Sequence, residues 1–157
     1  MSVAELFTPE WAQEVAQAMA EGPSDEYKAR VLDVYWMWID MVRADFDGEL
    51  ALGGQRLPGA AGPESYLILS FAKGECTGAR LADRSDAEQA TYLLVGDVHD
   101  WADLVGGYDA GKAVMYRRFQ LERGDLLDFF RRVYFWVETL ALVGRVPAQL
   151  PTQPAAA

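Results

Sequence analysis

The sequence predicts an α+β domain, in which one mostly antiparallel sheet carries helices packed against it. Three stretches support that prediction. Residues 66–71 and 75–81 are two apolar runs flanking Ala72-Lys73-Gly74, the pattern of a β-hairpin. Phe119 and Leu121 alternate with Arg118, Gln120 and Glu122, the period-two signature of a half-buried strand. That strand passes through Gly124 and Asp125 straight into a long apolar helix, which needs a large hydrophobic neighbour.

Along the chain, Thr8 is a cap and Pro9 a first helical position, because Thr accepts an orphan amide bond and Pro has no amide to lose. Phe7 and Ala12 form a weak hydrophobic staple at this start. Trp11, Val15, Ala18 and Met19 make the helix's apolar stripe, and Gly22-Pro23 ends it. Ser24 caps a second, shorter helix to about Arg30. Residues 31–42, VLDVYWMWIDMV, read as a strand from their β-branched and aromatic content. Trp36 and Trp38 would then share one face, with Tyr35, Met37 and Ile39 on the other. Residues 44–65 hold five glycines and two prolines. They read as a long loop, of the length that often forms a lid, with a short strand around 49–52. Asp45, Asp47 and Gly48 share part of a calcium-loop pattern but lack its later ligands, so they read as a turn.

After the hairpin, residues 87–95 contain a strand centred on 91–95. Asp97 caps the next helix, Asp100 favours its positive end, Trp101, Leu104 and Val105 face inward, and Gly106-Gly107 stops it. Residues 109–115 form one more short helix. Asp125 caps the final helix, which runs to about Val143 before Gly144 and Pro147. At about 100° per residue, Leu126, Phe129, Phe130, Val133, Val137, Leu140 and Ala141 share one face, and Asp128, Arg131, Arg132, Glu138 and Thr139 the other. Phe135 and Leu142 fall in the middle of the polar face. They read as an interaction surface, for a homodimer or a covering loop, with ligand or membrane contact as the rival. One domain over 1–147 and a flexible tail over 148–157 complete the organisation.

The 157 residues suffice to bury a core without staples, and a hydrophobic content of 51% excludes a wholly disordered chain. A net charge of −10 argues against nucleic acid and against electrostatic docking on anionic membranes. Stable membrane insertion is not expected either, since four charges interrupt the final helix. Cys76, the one cysteine, has no internal partner and suits a reducing cytoplasm, and no secretory signal opens the chain.

Convergent reactive groups are scarce. His99 is the only histidine, and one histidine among first-turn acids is a weak zinc pattern. Cys76 lies in a strand context without a base beside it. The glycine pairs 53–54 and 106–107 match no phosphate-binding pattern. A third reading is a small hydrolase or isomerase acting on an apolar substrate with Asp40 or Asp45 as base, which requires a carboxyl with a raised pKa beside an apolar cavity. The positive signal is the supply of large apolar side chains. Trp36, Trp38, Trp101, Phe119, Phe129, Phe130, Val133 and Trp136 are the candidate ligand lining, with plain core packing as the rival reading.

In order and spacing, residues 66–71, Gly74-Glu75-Cys76, Gly78-Ala79-Arg80, 91–95 with Trp101 and Leu104, and Met115 through Arg118-Phe119-Gln120-Leu121 to Gly124-Asp125-Leu126 resemble the sterol carrier protein family in its stand-alone prokaryotic form. The resemblance covers roughly residues 62–147 and, more loosely, the opening FTPEWA. It departs at Arg117, where the family usually has glycine, and in the aromatic 31–42 stretch and long 44–65 loop. It implies a five-stranded sheet with helices enclosing an apolar tunnel, no metal or redox cofactor, and no enzymatic step. The implied partner is a fatty acid, acyl-CoA or sterol-like lipid, bound or transferred. The alternative is an interaction module with the same fold and a filled core.

Overall fold

The computed structural model describes residues 3–58 and 64–151. Its helices are α1 (Pro9–Glu21), α2 (Asp25–Lys28), α3 (Asp33–Arg43), α4 (Arg84–Ala87), α5 (Val98–Val105), α6 (Ala110–Met115), α7 (Leu126–Arg131) and α8 (Val133–Arg145). The strands are β1 (Gly48–Gln55), β2 (Glu64–Ala72), β3 (Glu75–Ala82), β4 (Tyr92–Asp97) and β5 (Gln120–Arg123). They form one sheet in the order β3-β2-β1-β4-β5, antiparallel except for the parallel β1–β4 pair. The architecture is the expected α+β one.

Alternation along the central strands sends Leu50, Leu52, Leu67, Leu69, Phe71, Tyr92 and Leu94 into the main core, and Ala51, Ile68, Leu93 and Val95 to the opposite face. Ala87 of α4 and Ala90 close that second face. The remaining helices lie on the first face, where α8 touches α1, α3, α5 and α6. Thr8, Ser24, Asp97 and Asp125 all cap helices as expected, and Asp97 forms a full capping box with Asp100. The Gly53-Gly54 pair is structural: a Cβ at Gly53 would lie 2.7 Å from the Tyr66 ring and one at Gly54 2.8 Å from that of Phe7.

Four expectations need correction. Residues 31–42 are not a strand, because α3 occupies Asp33–Arg43. Eleven residues with Tyr35, Trp36, Ile39 and Val42 on an inward helical face satisfy a 3.6 period, and burial of that face outweighs β propensity. Trp36 and Trp38 therefore diverge, at 8% and 52% exposure. The segment 44–65 is not mainly loop, since β1 runs eight residues through it and pairs with both β2 and β4. Residues 59–63 of the expected lid lie outside the described residues. The final helix is two helices, broken at Arg132 (φ −112°, ψ 23°). Finally, the first residues of the expected loose tail are docked: Glu5 and Gln149 form a parallel bridge, and Pro151 is buried. Residues 152–157 of that tail lie outside the described residues.

Arg117 turns the chain from α6 into β5 with φ 61°, the left-handed region that glycine adopts without penalty. This accounts for the glycine that the resembling family carries there. A side chain in that region costs about 1 kcal/mol. Arg117→Gly should raise stability by up to about that amount, read as a higher urea midpoint at unchanged slope.

Candidate functional site

Between the sheet and α8 the interior is filled. Trp136 stands among Phe46, Phe71, Tyr92, Phe129 and Phe135, with ring centroids 4.8–6.0 Å away. Trp101 closes a second group with Phe7, Trp11 and Phe119 at 5.1–5.9 Å, and its indole Nε1 donates to the Gly53 carbonyl at 2.9 Å. Four of the expected lining residues, Trp101, Phe119, Phe129 and Trp136, are thus mutually packed core. Among the described residues, these rings occupy the region beneath the final helix where a hollow is expected. Trp38 and Phe130 are exposed on the outside of α3 and α7.

Open space lies instead around the far side of α8. A cleft of about 730 Å³ runs between α1, α2 and the end of α8. A second, of about 490 Å³, lies between α6 and α8, with Val133 on its wall. The third, about 460 Å³, lies between the end of α1, α3 and α8, with Trp36 on its wall. Each falls in the range of small-molecule sites. They share walls: Tyr27 and Arg145 border the first two, Glu138 the last two, and Leu142 the first and third.

The wall common to all three is the α2–α3 strap, and polar bonds fasten it. Glu138, only 8% exposed, accepts the Tyr35 hydroxyl at 2.6 Å and the Tyr27 hydroxyl at 3.0 Å. Burial first, and then the Glu138 carboxylate, pushes both phenols upward in pKa, so they remain donors across the ordinary pH range. The Arg145 guanidinium stacks 3.9 Å from the Tyr27 ring centroid. At the other end of the strap Arg132, 5% exposed, donates to the Val42 carbonyl at 2.8 Å, to Asp45 at 2.9 Å and to Asp128 at 3.1 Å.

Phe135 and Leu142 sit under this cover. Phe135 is buried against Phe71 and Trp136, so it is not available as an outer contact, and Leu142 is half-buried between two clefts. Their place in a polar face is the signal that α8 is covered on that side. The covering element is α3, and Glu138 and Thr139 are buried with them.

The two candidate bases of a hydrolase are both paired with arginines. Asp45 is exposed and its carboxyl is held below the usual range, first by hydrogen bonding to Arg132 and also by Arg131. Asp40, on the wall of the third cleft, pairs with Arg43 at 3.2 Å. Burial keeps the Cys76 thiol protonated by raising its pKa. His99 lies exposed in the first turn of α5, and among the described residues no group of three or more His, Cys, Asp or Glu gathers as a metal site. No described helix is long and apolar enough to cross a membrane.

No family model matches the sequence, and no curated protein matches it by sequence. Solved structures do match. A crystal structure of sterol carrier protein 2 superposes with a TM-score of 0.64 at 19% identity, over 90% of this chain and 99% of that one. A conserved hypothetical protein of Thermus thermophilus, described as a candidate sterol carrier protein, gives 0.64 at 21% identity, over 95% and 94%. The chain has the sterol carrier protein fold. At these identities the shared property is the fold.

Within that fold the strap is fastened in part by its hydrogen bonds to Glu138, and these can be tested. Tyr35→Phe leaves a buried carboxylate oxygen short of a donor, which costs about 2 kcal/mol. Amide exchange over residues 25–43 should accelerate accordingly, while β1 and β2 keep their protection.

Proposed function

We propose that this protein is a non-enzymatic carrier that binds or transfers an apolar, lipid-like molecule. The fold supports this reading, as does the character of two of the similar structures, both described as sterol carriers or candidates for that role. The observation that carries it is the set of clefts with shared walls around α8, roofed by a strap that polar bonds hold in place. An acyl chain or ring system entering them leaves water at a gain of about 0.8 kcal/mol per methylene. The ligand therefore belongs beside α8 under the strap, not in the aromatic layer between α8 and the sheet. Trp36, Val133 and Leu142 touch it; Trp101, Phe119, Phe129 and Trp136 support the wall from behind.

Native mass spectrometry of delipidated protein, titrated with long-chain lipids, checks this. A one-to-one adduct is expected, and Leu142→Arg should weaken it more than tenfold with circular dichroism unchanged. A protein that forms no adduct, and displaces no fluorescent apolar probe, is not a carrier.

A second reading rests on a different observation. Val34, Met37, Trp38 and Met41 form an exposed apolar stripe along α3, and Leu127 and Phe130 of α7 are exposed as well. This stripe, and not Phe135 and Leu142, is where a second copy of the chain would dock. Trp38→Ser with Met41→Ser should convert a dimer to a monomer in light scattering and leave ligand adducts intact. A wild-type protein that is monomeric at tens of micromolar removes this reading.

A further inference from the structure

Thr139 of α8 is 1% exposed, and its hydroxyl is buried without a hydrogen-bond partner. A helical threonine ordinarily returns this hydroxyl to the carbonyl four residues back, and here that bond to Phe135 is not made. Two other buried donors share its condition, the indole nitrogens of Trp11 and Trp136, but both stand inside the closed core. Thr139 alone of the three belongs to a cleft wall, in the space between the end of α1, α3 and α8. A buried hydroxyl left unpaired carries an uncompensated desolvation cost. A ligand group that pairs with it recovers that energy at the point where the ligand is bound.

The charges around this cleft restrict what that group is. Glu21, Asp40, Glu75 and Glu138 border it against Lys28 and Arg43. Arg43 is already engaged, paired with Asp40 at 3.2 Å and stacked over the Phe135 ring at 5.6 Å. Glu138 is the carboxylate next to Thr139 in the chain, and it is buried with both its oxygens occupied by phenols. A carboxylate or phosphate brought to Thr139 would meet the neighbouring Glu138 carboxylate, while Arg43 is paired with Asp40 and Lys28 stands over the Trp36 ring at 5.8 Å, so four acids face two cations where like-charge repulsion is poorly screened. An uncharged group has no such penalty.

We propose that Thr139 is the specificity-determining residue of this cleft. It pairs with the polar end of an uncharged apolar ligand, an alcohol or a carbonyl compound, and the acidic surroundings refuse anionic lipids. This rests on the carrier reading above and goes beyond it by naming the polar chemistry and the residue that reads it.

The experiment compares hexadecanol with hexadecanoate at pH 8, by displacement of a fluorescent apolar probe and by native mass spectrometry. Wild-type protein should take the alcohol at least tenfold more tightly. Thr139→Val, nearly isosteric, should lose roughly fivefold for the alcohol, as expected for one hydrogen bond, and nothing for the carboxylate. Thr139→Ser should restore the preference, which separates the hydroxyl's role from one in packing. Equal affinity for the two ligands, or a Thr139→Val loss common to both, overturns this inference and leaves the carrier reading standing. Binding of neither ligand overturns the carrier reading itself.

Discussion

The arrangement of the helical layer depends on Arg132. Its guanidinium is buried, and three partners from separate parts of the chain satisfy it: the end of α3, the turn before β1 and α7. A buried cation is tolerable only when its donors are used in this way. The guanidinium also lies over the Phe46 ring, 5.3 Å from its centroid, which couples the polar junction to the aromatic layer around Trp136. The residue stands where α7 stops and α8 begins. One side chain at that break therefore ties the end of α3, the turn before β1 and α7 together.

Two polar anchors, Arg132 at the start of α8 and Glu138 near its middle, then hold α3 across an otherwise apolar helix. Such anchoring differs from hydrophobic packing in a way that matters for the proposed carrier role. Apolar contact is non-directional and tolerates sliding, whereas a bond from Tyr35 to Glu138 is either made or broken. A strap attached by a few directional bonds has a defined closed position and a modest cost of leaving it. The sheet has neither property. Its central strands are buried on both faces, and α8 is keyed to them by five rings around Trp136.

Much of the sheet is legible in the sequence because its signals are local. The 66–81 hairpin, the step from β4 into α5 and the step from β5 into α7 each carry turn or capping residues at the boundary, and the structure places them there. Two elements mislead for opposite reasons. β1 is glycine-rich because Tyr66 and Phe7 press on its backbone, a tertiary demand that resembles loop composition when seen alone. α3 is rich in β-branched and aromatic residues because it has apolar side chains on both faces, one packed on α8 and one exposed. The residues of the clefts are harder still. Glu138 and Thr139 look like solvent-facing positions until α3 is known to cover them, and only the misplaced apolar pair Phe135 and Leu142 hints at a cover.

That same misplacement bears on why the open clefts lie around α8 and not among the aromatic rings. A count of aromatic residues predicts a hollow ringed by them, but rings that meet edge to face at about 5 Å fill volume efficiently, as they do around Trp136. Voids persist where side chains of mixed character and unequal length face each other across a gap that secondary structure holds open. The surface between α8 and the strap fits that description. Tyr27, Tyr35, Glu138 and Arg145 bridge it at a few points and leave room between them. A polar network that props a helix away from its neighbour creates cleft volume that an all-leucine contact would have collapsed, and in this fold it does so along the face where the chain also leaves a hydroxyl unpaired.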